Sequence, residues 1–280
     1  MKIKNMLSEK STNWKIWYAI FPFLSMLVAS FFVSFLSGIN GVAQLSPLLQ
    51  FIIMAVFSLG CVTLISKKFP TSMDLGFDTK TLSKRNVIII LSVFVITHLS
   101  FFFLSKISGI TTDAKAEFTN TGFGNNSFSD LILIISTVIF APIFEEIVYR
   151  GIMLRSIHDG MLKHFPKSKS IFGLPAITAI TITAIAFILP HVANLSINVM
   201  TLAYFITSAG FSVVYLLTGS MVAAMVSHSL QSAYAFSNLL IYGHGDYKLS
   251  PIIYLISFGA PVIVFVIGEV IRKLYNKFKL

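Results

Sequence analysis

Apolar runs of about twenty residues recur along nearly the whole 280-residue chain, separated by short polar segments. A run of that length crosses the hydrocarbon core of a bilayer as a helix, and a helix satisfies its own backbone where no water can. The runs lie at about Trp17–Ser37, Pro47–Ser66, Val87–Ser105, Ser129–Ile157, Leu174–Asn194, Asn198–Thr218, Ser220–Ile241 and Pro251–Ile271. With only 11% charged residues and a mean hydropathy of +0.83, the chain is not a soluble domain with one anchor. The first run is too long for a signal-peptide core, and no small-residue cleavage site follows it, so it is read as a retained span. No internal repeat and no second domain is evident. The expectation is one integral membrane domain over residues 1–280, an all-α bundle of about eight transmembrane helices.

Eight spans put both termini on one side of the membrane. Threaded so, 17 of the 21 Lys and Arg residues fall on that side, 3 fall on the other, and Arg150 lies within a span. Basic residues favour the cytoplasmic side, so both termini are predicted to be cytoplasmic, in the cell membrane. The topology accounts for the net charge of +10 without a nucleic-acid partner. The lone Cys61 sits in an apolar run, excludes an intramolecular disulfide and reads as a packed small hydrophobe.

The fourth run carries Phe140-Ala-Pro-Ile-Phe-Glu145-Glu146-Ile-Val-Tyr149-Arg150-Gly151. A charge at membrane depth costs roughly 2.5–3.5 kcal/mol on insertion scales, so such a placement points to function. Ser129-Asp130 reads as the start of the helix. On it, Glu146 and Arg150 stand at i and i+4 in the favourable acid-first order and can satisfy each other. Adjacent residues point about 100° apart, so Glu145 faces elsewhere, with Tyr149 rather than a cation one turn on. That leaves Glu145 free to act as a general base. The competing reading is a structural network that locks helices together.

His191 lies in Phe187-Ile-Leu-Pro190-His191, near the end of the fifth run. His228 lies in the seventh, where Ser220, Ala224, His228 and Ser232 form one i+4 stripe beside the small residues Gly219, Ala223 and Ser227, which allow close helix approach. His98 reads as packing or cavity lining. His158, His164 and His244 read as solvated loop residues, and Glu269 as a partner of Lys273. There is no HExxH, no G-x-S-x-G and no phosphate-binding loop, and little supports a serine–histidine dyad of Ser220 with His228. A glutamate with one histidine can hold and polarise a water, while a second histidine stabilises an oxyanion. That chemistry hydrolyses a peptide bond with no cofactor. Glu145, His191 and His228 are equally acceptable ligands for a divalent metal such as zinc, and spacing alone leaves both mechanisms open.

Glu145-Glu146-x-x-x-Arg150, Phe187-x-x-x-His191 and His228-x-x-x-Ser232, in that order on successive helices, resemble the CPBP family. That family groups CAAX prenyl endopeptidases with bacteriocin-processing and self-immunity (Abi) proteins. The resemblance covers about residues 129–241 and implies an eight-helix intramembrane bundle. It also implies roles: Glu145 activates the water, His191 helps hold it, His228 and residue 232 form the oxyanion site, and Glu146 with Arg150 supports them. The family usually has Asn where this chain has Ser232, and often Phe where it has Tyr149. The leading reading is therefore an intramembrane endopeptidase acting on a membrane-associated peptide or protein, in a context such as bacteriocin processing or self-immunity. The alternative is a non-catalytic membrane scaffold or immunity regulator that keeps the fold. A transporter using the buried acids is a third reading, disfavoured by the lack of an inverted repeat.

Overall fold

The computed structural model describes residues 5–36, 38–39, 43–79, 83–108, 114–191 and 199–278. Eight long helices order it: α1 (Ile20–Leu36), α2 (Ser46–Ser66), α3 (Lys84–Ser108), α4 (Ser127–His164), α5 (Leu174–Ile188), α6 (Val199–Thr218), α7 (Met221–Tyr242) and α8 (Pro251–Phe278). No β-strand occurs among the described residues. Among the described residues six helices are long and apolar enough to cross a membrane: α1 with its preceding turn, α2, α3, α4, α6 and α8. The exceptions have local causes. α5 has only 15 residues, and α7, at 22, is diluted by Ser227, His228, Ser229, Gln231 and Ser232. The molecule is an all-α membrane bundle.

α4 is its axis. In its most apolar stretch 61% of residues are buried, against 11% in α3, whose outward face shows Ile88, Ile96 and Phe103. An exposed aliphatic and aromatic face of this kind suits lipid, where no hydrophobic penalty attaches to it. Around α4 stand the pairs α1–α2 and α7–α8 and the group α3–α6–α5. Close approach is set by glycine at defined points. A Cβ added to Gly268 on α8 would lie 2.7 Å from Val222 Cγ1 on α7. Gly219, assigned from sequence to the small-residue stripe of α7, instead ends α6: its φ of +65° is left-handed, and the stripe begins at Ala223.

The two ends of the bundle differ. At the basic end, Phe77 stacks on Tyr275 of α8, the Met6 amide bonds the Leu216 carbonyl, and Lys10 pairs with Asp78. Both chain ends lead to this end, as alternation of eight helices requires. At the far end Tyr247 donates to Asp130, which also accepts from the Gly124 amide.

The structure corrects several sequence assignments. α4 starts at Ser127 rather than Ser129, because extended Asn126 caps it by accepting from the Ser129 amide. It also runs on to His164, so His158 is not a solvated loop residue. His158 is fully buried, bonded to Asp159 at 2.7 Å and to Asn5 at 3.0 Å, because the N-terminal segment folds back over the last turns of α4. Glu269 pairs with Arg272, at i+3, and not with Lys273. The expected end of the fifth span at Asn194 and start of the sixth at Asn198 lie outside the described residues, as do Lys2, Lys4, Lys80, Asp113 and Lys279.

Candidate active site

Pro142 shapes α4 just before the glutamates. It has no amide hydrogen to give the Val138 carbonyl one turn back. The Ser229 hydroxyl of α7 donates to that carbonyl at 2.6 Å, in a fully buried contact. On either side of Ala141–Glu145 the helix widens to i→i+5 turns, over Ser136–Phe140 and Glu146–Leu154. Such widening is frequent at functional sites and lets adjacent residues be aimed independently.

Glu146 and Arg150 pair as expected, Arg150 Nη1 to Glu146 Oε1 at 3.0 Å, with both side chains fully buried. Arg150 also donates from Nη2 to the Ser208 carbonyl (2.7 Å) and hydroxyl (2.6 Å) on α6. Its guanidinium lies between the rings of Phe187 and Phe211, 5.2 and 5.3 Å from their centroids. One charge thus joins α4, α5 and α6 through ion pair, hydrogen bonds and cation–π contacts. Glu146 holds a second partner: His228 Nδ1 donates to the same Oε1 at 2.9 Å. With that proton committed, the other ring nitrogen, Nε2, turns towards Glu145 Oε2, 3.8 Å away. Phe211 stacks on the His228 ring at 4.5 Å, so its orientation is fixed on both sides.

His191 reaches the site because α5 is short. Fifteen residues rise about 22 Å, less than the roughly 30 Å hydrocarbon core, so the helix ends inside it. A turn closed by the His191 amide on the Ile188 carbonyl follows. The imidazole stacks on Phe187 at 4.5 Å and donates from Nδ1 to the Phe187 carbonyl at 2.7 Å, which leaves Nε2 as the free ring nitrogen. Phe187 packs in turn against His228 at 5.8 Å between ring centroids.

Glu145, His191, His228 and Ser232 all line one cavity of about 490 Å³. Gln231, adjacent to Ser232, and His98 line it too. Arg150 and Glu146 stand behind the wall. Sequence reasoning missed Ser208 and Ser229, which satisfy Arg150 and the Val138 carbonyl. Pro142 in a buried helix signals that some donor is needed, but no sequence spacing says which. It also missed Tyr204 and Thr207, which bring α6 into the wall. Among the described residues no group of three His, Cys, Asp or Glu is arranged to hold a metal ion. His228 Nδ1 is taken by Glu146, which leaves its Nε2 facing Glu145 Oε2 at 3.8 Å.

Residues 127–234 match the family model described as Rce1-like, type II CAAX prenyl endopeptidase. The match begins with the first residue of α4 and ends on α7, and it includes all six of Glu145, Glu146, Arg150, His191, His228 and Ser232. No curated protein and no solved structure matches the chain. Residues 127–234, which carry Glu145, His191, His228 and Ser232 of the cavity wall, are thus similar to the Rce1-like, CPBP/Abi family of endopeptidases.

Proposed function

We propose that the protein is an intramembrane endopeptidase that cleaves membrane-associated peptides or proteins with a glutamate-activated water. The observation that carries this reading is the cavity shared by Glu145, His191 and His228, three polar side chains brought in by α4, the turn after α5, and α7. Each costs too much in an apolar interior unless it meets another polar group or water. Glu145 accepts a proton from a water that His191 Nε2 also orients, and the resulting hydroxide attacks the scissile carbonyl. Glu145 then passes the proton to the leaving amine. Two carboxylates and one guanidinium leave the cluster one positive charge short. A proton carried by His228 Nε2 makes it neutral and can be donated to the developing oxyanion, while Glu145 stays free to act as base. The Ser232 hydroxyl adds a second donor on the same wall. No step is routed through a metal, and cleavage is expected to survive a chelator such as EDTA.

Among the described residues the wall contains no Lys or Arg and a single acid, Glu145. A substrate C-terminal carboxylate would find no fixed cation there, so the substrate is read as an internal, uncharged stretch of chain. Bacteriocin processing or self-immunity is a context in which such peptides occur. Ser232 in place of the usual Asn supports a second reading, a binding or immunity protein that retains the fold without turnover. Purified protein in liposomes, incubated with quenched apolar peptides blocked at both ends, separates the two. Cleavage by the wild type and not by Glu145→Gln supports the peptidase. Saturable binding of the same peptides without cleavage supports the second reading.

A further inference from the structure

The cavity lies wholly to one side of the glutamates. On α7 its wall starts at His228 and runs only towards the C-terminus, as far as Leu239. On α4 it stops at Glu145, and on α6 it uses mostly the N-terminal half, from Ala203 to Phe211. Because the helices alternate in direction, all these halves belong to the far end of the bundle. Thr121, from the connection between α3 and α4, joins the wall there, and Asn238 on the same wall is exposed.

Towards the basic end the bundle is packed shut. Arg150, Leu154, Arg155, Tyr215, Leu216 and Met221 are all fully buried. Over them lies the N-terminal segment, held by the Thr12 amide on Asp159 (2.7 Å), by Asn5 on His158 (3.0 Å) and by Arg155 on the Lys10 carbonyl. Arg155 and Asp159 pair beneath it at 2.9 Å. A chain entering from this side would have to break that buried charged network, whereas among the described residues the cavity wall itself continues towards the far side.

We infer that substrate reaches Glu145 from the far end, the side opposite both chain termini, which the distribution of basic residues makes the extracytoplasmic side. The inference rests on the peptidase reading for its substrate but not for its test. On a Cys61→Ala background, Lys68→Cys marks the basic end and Asn125→Cys the far end, both at exposed positions. Ser232→Cys and Thr207→Cys place thiols inside the cavity on two different helices. A small trimethylammonium methanethiosulfonate is added to right-side-out and to inside-out membrane vesicles, and labelling is read by mass. Both cavity thiols are expected to react from the side that labels Asn125→Cys, at least tenfold faster than from the side that labels Lys68→Cys. Reaction from the Lys68→Cys side, or from neither side while the marker thiols react, overturns the inference; two positions guard against one variant failing to fold. Peptide cleavage by the Cys61→Ala parent is read separately, so loss of the peptidase reading leaves the labelling result standing.

Discussion

At Glu146 a single carboxylate oxygen accepts from both Arg150 and His228, and this double use separates the two neighbouring acids. Glu146 is consumed in holding geometry; Glu145 faces the cavity with one histidine nitrogen nearby. Removing Arg150 would leave Glu146 buried without its cation, and breaking a deeply buried pair costs about 3–5 kcal/mol. Arg150→Ala is therefore expected to lower the folded yield in mild detergent sharply, measured by size-exclusion chromatography, whereas Glu145→Gln is expected to fold like the wild type. The pairing of Glu146 with Arg150 was legible in the sequence because i,i+4 spacing on a helix is local. The Glu146–His228 bond was not, since it joins residues 82 apart and depends on how α4 and α7 are rotated against each other.

Among elements, α4 and α7 form the unit on which the site depends. Pro142 breaks the backbone ladder of α4 one turn before Glu145, and Ser229, next to His228, repairs it from α7. The hydrogen bond thus couples the register of the two helices to the placement of Glu145 and His228. Ser229→Ala is expected to destabilise the fold by about 1 kcal/mol, visible as a lower unfolding midpoint in detergent. It should also lower the rate of peptide cleavage, because His228 then loses its fixed register against Glu145. α5 makes a different contribution through its shortness. The apolar run continues beyond Ile188, and hydropathy alone extends the span to Asn194. The early turn at Pro190 and His191 becomes legible only once Phe187 and His228 are seen to pack together.

For the whole molecule, the number and order of apolar helices were legible because lipid leaves few alternatives to a helix of membrane length. The fold-back of residues 5–19 over α4 was not, because its anchors are polar residues that read as solvated. Leu7 and Trp14 are buried there, and Asn5, Thr12 and His158 lie in the same interior. Reporter fusions after Lys279 and within the 111–126 connection are expected to report opposite sides of the membrane, with the C-terminal one cytoplasmic. The same side for both would contradict the alternation of eight helices. The central claim is that Glu145 is the general base of an intramembrane hydrolysis, and cleavage of a blocked apolar peptide by reconstituted protein tests it most directly. A positioned base contributes about 10²–10⁴ in rate. Glu145→Gln, folded and binding the peptide normally, is expected to lose at least that lower factor of about 100 in turnover. Turnover undiminished in Glu145→Gln would contradict the account, whatever the geometry of the cavity.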